Sequence, residues 1–321
     1  MQKSEVPDWA ADRPLITETE LYTFTVGICA TGRPPSLQPL LASVLSSDLP
    51  RFAMRKVVLV ASDVDGAVLE MVKRFAARDP RLVLIEHKER KGKADAINEV
   101  FRETEGDFLV YVNADAMVTP ESIGILLEDI EDDPRLGFVS GRPVFDRPKG
   151  LISDVLEIMW TSFNILSADP DQSTNANHGT DELMVIRSEL LAELPPGVVN
   201  DGAFIAGRIR EKGFSVGYQP RATVRIDVPR RMVDLIRQRR RILYGHIQVK
   251  RLVGKVPRTV ETMMFFSPMQ SIRIVIKELA NRPRLIVALP AAVAGEVLAV
   301  CGALWDTLSS KNHAVWKRYD Q

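Results

Sequence analysis

Four short runs of strand-forming residues recur within roughly the first 130 positions, each closed by a break and followed by a helical pattern. This alternation constrains the fold more than any other feature of the chain. "FTVGIC" (24–29) stops at "TGRPPS", and a helical pattern opens near Leu37. "RKVVLVAS" (55–62) precedes a helical stretch from about Gly66 to Ala77. "RLVLIEH" (81–87) precedes "GKADAINEVFRETEG", a helix that Gly106 is expected to end. The fourth run, "FLVYVN" (108–113), leads to the best-signalled helix, with Thr119 as its cap and Pro120 in its first turn. Ile123, Leu126, Leu127 and Ile130 form its apolar stripe. Strands alternating with helices argue for a parallel sheet covered on both faces. Ligands of such sheets bind where the strand carboxyl ends open a crevice, and Asp63 and Asp115 both fall at those ends.

The chain has 321 residues, enough for one large domain with an appendage. Lysine and arginine (42) balance aspartate and glutamate (42), so no global charge points to nucleic acid as a partner. Residues 229–258 are strongly cationic with apolar residues interleaved, which suits an anionic ligand or a lipid headgroup surface. Cys29 and Cys301 lie far apart in apolar surroundings, which fits a reducing compartment and no disulfide framework. The first residues carry no apolar signal core. From Leu285 to Trp305 the chain is apolar over close to the ~20 residues that cross hydrocarbon. Pro290 and a lone Glu296 weaken that reading, since such a carboxylate costs roughly 2.5–3.5 kcal/mol at mid-membrane. The preceding "MMFFSPMQSIRIVIKELANRP" alternates apolar and basic residues and suits the interface plane. Basic residues crowd the segment before Leu285, which predicts a cytoplasmic catalytic domain on a membrane-associated chain.

Four clusters can carry chemistry. Asn113 and Asp115 at a strand end can hold a hard divalent cation, which takes one or two protein oxygens and fills its shell with phosphate and water. Lys93 opens a helix after Gly92, where helix dipole and ammonium both attract anions. Asn200 and Asp201 begin "DGAFIAGRIREKG". Asn200 serves as a cap, and the helix dipole is expected to lower the Asp201 pKa, leaving an ionised proton acceptor. Finally, Gln238 and Arg241 lie three apart on one face of a helical segment that also carries Leu235, Arg239 and Ile242. Each cluster alone has an ordinary reading as turn, cap or solvated surface.

In their order and spacing these clusters resemble the inverting family 2 glycosyltransferases of the GT-A fold, particularly cellulose-synthase-like membrane members. The equivalents run from about residue 22 to 245: "ATGRP" after the first strand, Asp63 or Asp65, "GKADAIN" (92–98), "NAD" (113–115), "ND" (200–201) and "QRRRI" (238–242). Three positions depart from the family pattern. Asn113 replaces the first metal-site aspartate, Asn200 the glutamate before the base, and Ile242 the tryptophan expected near the acceptor. The single C-terminal hydrophobic span looks like the minimal version found in archaeal membrane mannosyltransferases that use dolichyl-phosphate-linked acceptors.

The resemblance implies an α/β fold with a mixed Rossmann-like sheet and helices on both faces, plus C-terminal interfacial helices and a membrane helix. The implied organisation is an arm (1–21), a catalytic domain (22–228), basic acceptor-side and interfacial helices (229–283), a membrane-embedded segment (284–310) and a tail (311–321). The implied activity is that of a metal-dependent hexosyltransferase using Mn2+ or Mg2+. Its first-choice donor is GDP-mannose and its acceptor is linked to a polyprenyl or dolichyl phosphate. Asp201 is the implied base. Thr31, Arg33, Asp63, Lys93, Asn113, Asp115, His178, Gln238 and Arg241 are the implied donor contacts, with Asp115 and Asn113 at the metal. Alternatives are a polysaccharide or glycolipid synthase using a UDP-sugar, and a membrane-tethered sugar-nucleotide-binding protein without activity. A nucleotidyltransferase would need a glycine-rich phosphate loop near the first strand, and a dehydrogenase a Gly-X-Gly-X-X-Gly turn; the sequence has neither.

Overall fold

The computed structural model describes residues 21–89, 91–169 and 175–309, with 311 and 313. The expected arm, except Leu21, and most of the expected tail lie outside those residues.

The first half follows the alternation: β1 (Tyr22–Gly32), α1 (Leu37–Leu45), β2 (Phe52–Val64), α2 (Gly66–Ala76), β3 (Leu82–His87), α3 (Lys93–Arg102), β4 (Phe108–Asn113) and α4 (Pro120–Asp132). Then come β5 (Leu136–Val144), α5 (Leu151–Ser167), β6 (Leu183–Arg187), α6 (Asp201–Glu211) and β7 (Ser215–Arg225). The seven strands lie in the order β3-β2-β1-β4-β6-β5-β7. The pairs among β3, β2, β1 and β4 are parallel, whereas β6 runs antiparallel to both β4 and β5. The sheet is therefore mixed, as the GT-A resemblance implies and the alternation alone does not. α1, α2 and α4 bury Leu37, Leu41, Val72, Leu126 and Leu127 on one face, and α3 and α6 bury Ile97, Val100, Phe204 and Ile205 on the other.

α4 begins as expected, with Thr119 Oγ1 accepting from Ser122 N at 3.2 Å. α3 instead ends at Arg102, ahead of the expected stop. Gly106, at φ 94°, belongs to the tight turn into β4, where a Cβ would come within 2.6 Å of Thr23 Oγ1. The left-handed turn, rather than the helix end, is what requires glycine there.

The C-terminal third is helical: α7 (Met232–Val253), α8 (Val260–Phe266), α9 (Pro268–Ala280) and α10 (Arg284–Leu308). α10 is long and apolar enough to cross a membrane, and only a sixth of its most apolar window is buried in the chain. Glu296, expected as a lone carboxylate, is not alone. Arg239 of α7 donates to both of its oxygens, Nε at 3.0 Å and Nη2 at 2.9 Å.

Candidate functional site

The candidate residues gather at the carboxyl ends of β1, β2 and β4 and at the first turns of α3 and α6. Gly32 and Val64 are paired across β1 and β2, so Thr31, Arg33 and Asp63 share one rim. Asp65 caps α2 by accepting from Ala67 N at 2.9 Å, and its Oδ1 lies 3.3 Å from Arg33 Nη2. Asp63 itself has φ 52°, the one non-glycine residue with positive φ among those described. Such backbone is tolerated best by Asp, Asn and Gly.

β4 ends in a turn closed by Ala116 N donating to Asn113 O at 3.0 Å. Met117 then pairs with Arg225 of β7 through N–O contacts of 2.8 and 2.9 Å. That pairing brings the end of β7 beside Asp115 and forms a cleft of about 540 Å³, lined by Asp115, Asp146, Arg147, Lys149, Arg225 and Arg230 among others. Three carboxylates, Asp115, Asp146 and Asp227, face four cations there, with Arg225 paired to Asp146, a mixed lining that suits an anionic ligand carrying its own divalent ion.

No group of three or more His, Cys, Asp or Glu side chains forms a metal cage among the described residues. An open site is a different case. Asp115 borders the cleft, Asn113 ends β4 two residues before it, and Asn113 N donates to Glu182 O at 3.3 Å. The Glu182 carboxyl is pushed up to about 8, by burial first and then by the Asp181 charge, with Asp115 adding to it. The strand mouth thus places the Asp115 carboxylate beside further oxygen-bearing side chains, with Glu182 held largely protonated at neutral pH. Those residues fit a hard divalent cation whose remaining ligands come from phosphate and water.

Lys93 starts α3 directly after Gly92, whose φ is 121°. α3 lies close on β1, since a Cβ on Gly27 would come within 2.3 Å of Val100. The Lys93 side chain passes 5.6 Å from the Tyr111 ring centre. It ends between Asp181, with which it is hydrogen-bonded, and Asp201 Oδ2 at 2.9 Å. Two glycine contacts explain why these carboxylates are adjacent. A Cβ on Gly202 would meet Gly179 O at 2.6 Å, and one on Gly179 would meet Ala206 Cβ at 2.9 Å. The loop before β6 therefore rests directly on the first turn of α6.

Asp201 is only 4% exposed. Its pKa is pushed up to about 6, by burial first and then by the Asp181 charge, with Lys93 opposing both. This corrects the expectation of a lowered value. The dipole of a helix end is worth about a kcal/mol or less at an exposed site, and desolvation beside a second carboxylate outweighs it. Asp181 is held at about 2, because the Lys93 charge overcomes its burial. Lys93 is partly desolvated, yet the two carboxylates keep its ammonium above the ordinary lysine range. Asn200 caps α6 as expected, accepting from Ala203 N at 3.1 Å.

α7 crosses this corner. A Cβ on Gly245 would lie 2.8 Å from Asn200 Cβ, and Arg241 Nη2 reaches Val199 O at 3.5 Å. Gln248 clamps the same loop, accepting from Val199 N and donating to Gly197 O, both at 2.9 Å. Gln238 and Arg241 are thus carried past the start of α6. His178 is placed otherwise. It packs edge-on against Phe163 and His246, at 5.6 and 4.9 Å between ring centres, and does not line the Asp115 cleft. Burial lowers its pKa.

Sequence reasoning missed Asp181, Glu182 and Gly245. The acidic pair between Gly179 and the β6 run was the available signal for the first two. Gly245 gives none, since a glycine within a helical pattern reads only as a weak point.

The glycosyl transferase family 2 model matches residues 25–194. The poly-beta-1,6-N-acetyl-D-glucosamine synthase of Staphylococcus aureus strain COL is 17% identical over 241 residues, covering 74% of this chain and 58% of that protein. The Staphylococcus epidermidis enzyme of the same name is 19% identical over 218 residues, covering 67% and 52%. The chain thus spans little more than half the length of these curated relatives. Among solved structures, a mannosyltransferase from Pyrobaculum calidifontis, in complex with GDP-Man and Mn2+, aligns with a TM-score of 0.61 at 20% identity. The alignment covers 95% of this chain and 93% of that one. GalNAc-T7 with UDP, GalNAc and Mn2+ aligns at 0.50 and 11% identity, covering 77% and 56%. These likenesses show a shared GT-A-like fold.

Proposed function

The chain belongs to glycosyl transferase family 2, and from that premise we propose that it is a membrane-associated, inverting hexosyltransferase of the cellulose-synthase-like type. The donor is a nucleotide sugar, with GDP-mannose first, and the acceptor is attached to a polyprenyl or dolichyl phosphate. The solved mannosyltransferase, similar over nearly its whole length, supports that donor. The observation that carries the reading is the Asp201 carboxyl, buried at the first turn of α6 and held by Lys93.

In this reading the base of the nucleotide sits on the rim of Thr31, Arg33 and Asp63. Its diphosphate lies in the cleft beside Asp115, where Arg147, Lys149 and Arg230 counter its charge. Asp115 and Asn113 are the residues that would hold Mn2+ or Mg2+, which would supply charge neutralisation for the departing diphosphate. Lys93, expected at the diphosphate, has its ammonium taken up by Asp181 and Asp201. It keeps Asp201 ionised and fixes its position. Arg241, carried to the mouth of the site by α7, adds positive charge where the leaving group develops its negative charge. The acceptor hydroxyl attacks the anomeric carbon opposite the leaving nucleotide while Asp201 takes its proton. The new glycosidic bond is inverted, and the nucleoside diphosphate leaves with the bonding pair. The catalytic elements stand on the cytoplasmic side, and residues 284–310 contribute the membrane attachment.

The test is donor turnover with Mn2+ against an EDTA control, for wild type and Asp201→Asn, over a panel of GDP- and UDP-sugars. Loss of more than about a hundredfold, near 2.7 kcal/mol in barrier, supports a base acting on a hydroxyl. A loss within about tenfold means an acceptor already anionic, such as a bare polyprenyl phosphate. A second donor reading, a UDP-sugar used in polysaccharide or glycolipid synthesis, is favoured by the staphylococcal relatives. The same panel separates the two. No donor turnover at all, with binding retained, would leave the non-catalytic reading that Asn113, Asn200 and Ile242 favour.

A further inference from the structure

α10 is amphipathic in an unusual sense: one face is small and occupied, the other large, aliphatic and bare. Leu285, Ala288, Ala299, Ala303 and Asp306 are buried. Gly295 faces Met232 and Ile236, and Gly302 faces Arg240. The first half of this stripe packs with α5 and the second with α7. The opposite face exposes Val287 (82%), Val297, Leu298, Leu304, Trp305 and Leu308. The helix is therefore seated along most of its length on the body of the protein.

Charge fixes this seating. Arg239 binds Glu296 near the middle of α10 and Glu261 of α8, and Arg240 forks onto Asp306 near its end. α7 is in turn pinned to the start of α6 by Gly245 and Gln248. If α10 stood across a bilayer, α7 would stand in hydrocarbon with it, bringing Arg237, Arg239, Arg240 and Arg241. The charges of Arg239 and Arg240 are met by Glu296, Glu261 and Asp306, whereas an arginine without such a partner from another element costs about 2.5–3.5 kcal/mol at a helix centre. Arg237 is exposed, and among the described residues its carboxylate partner is Asp234 of its own helix, at 3.4 Å.

The neighbouring helices continue the bare face. α8 exposes Phe265 (79%) and Phe266, and α9 exposes Met269, Ile272 and Ile276 at helical spacing. Arg273 and Lys277, also exposed, each follow one of those isoleucines. An apolar stripe bordered by cations is the composition of a helix lying in the interfacial plane of an anionic membrane.

We infer that α8, α9 and α10 form one in-plane docking surface for an anionic lipid bilayer, and that α10 lies along the membrane without crossing it. The inference rests on the membrane association proposed above and replaces its expected spanning segment. A second copy of the chain fits the face less well, since a two-fold contact would oppose Arg273 and Lys277 to their own copies. The arrangement also sets the acceptor's approach: with α7 between the lipid plane and α6, a headgroup-borne sugar enters along α7 toward Asp201.

Depth measurement tests this on the full chain. In a Cys29→Ala, Cys301→Ser background, Val287→Cys, Val297→Cys and Leu308→Cys are each labelled with NBD. The labelled proteins are mixed with phosphatidylcholine vesicles with and without phosphatidylglycerol, carrying nitroxides at shallow or deep positions. The expected result is flotation that improves with phosphatidylglycerol, and equal, shallow quenching at all three sites. A deep Val297 site flanked by two shallow ones, with binding intact, overturns the in-plane inference and leaves membrane association standing. Failure to float overturns membrane association itself, and a dimer in solution then assigns the face to a second copy.

Discussion

Lys93 Nζ lies 2.9 Å from Asp201 Oδ2 and at the same time pairs with Asp181, so a single ammonium is shared by a buried carboxylate at a helix start and a partly buried one from a loop. Replacing it with a neutral side chain of similar length leaves two charges with none opposing. Lys93→Met is expected to destabilise the fold by about 3 kcal/mol, the low end for breaking a buried pair because Lys93 keeps some solvent contact. Denaturant midpoints measure this. The loss should shrink in a Lys93→Met, Asp181→Asn double variant, where one of the stranded charges is gone.

The pH dependence has a definite sign. Asp201 titrates near 6 in the fold, against about 3.9 for a free aspartate. The folded chain therefore binds the extra proton between those values, and this group's contribution to stability falls as pH rises from about 4 to 6. Activity runs the other way, because the base must be ionised. We expect an acidic limb in kcat/KM near pH 6. Asp181→Asn removes a charge that raises the Asp201 pKa and should move the limb lower. A limb that stays in place would assign it to another group.

Gly245→Ala offers a test in which two effects oppose. Alanine in a helix interior normally stabilises by about 1 kcal/mol over glycine. Here its Cβ would sit 2.8 Å from Asn200 Cβ and 3.1 Å from Asn200 N. Neither atom is the far end of a flexible side chain, so the contact cannot yield cheaply and α7 must move. Overpacking of this kind costs about 1–3 kcal/mol, and net destabilisation is the expected sign. Displacement of Arg241 should also lower kcat more than it raises KM.

Asp115→Ala is expected to leave the thermal midpoint of the free protein nearly unchanged, since the residue borders the cleft rather than the core. Mn2+ binding, read by the loss of the free-ion EPR signal in the presence of nucleoside diphosphate, should disappear. So should the rise in midpoint that a true donor produces by mass action. Retained Mn2+ binding in the variant would remove Asp115 from the metal site.

Much of the site's inventory was legible because each residue stands at a local boundary. Asp63, Lys93, Asn113, Asp115, Asn200 and Asp201 all fall where a strand ends or a helix starts, and those boundaries are written in short-range patterns. The Thr119 cap and the Asn200 cap were readable for the same reason. Asp181 was not, because its role comes from a partner 88 positions away in the chain. The Asp201 pKa was misjudged because local sequence shows a helix dipole but not the burial and the second carboxylate that outweigh it. His178 packs against His246 of α7, a neighbour that spacing cannot supply.

Alternation of apolar runs with helical segments determined, without further help, a covered sheet with carboxylates at its open ends, because periodicity and capping act over a few residues. Tertiary structure alone decided that β6 runs antiparallel, that Lys93 serves Asp181 and Asp201 together, and that Glu296 has Arg239 as its partner. Each of those depends on which distant surfaces the chain brings within a few ångströms, where desolvation and charge act between residues that no sequence window contains.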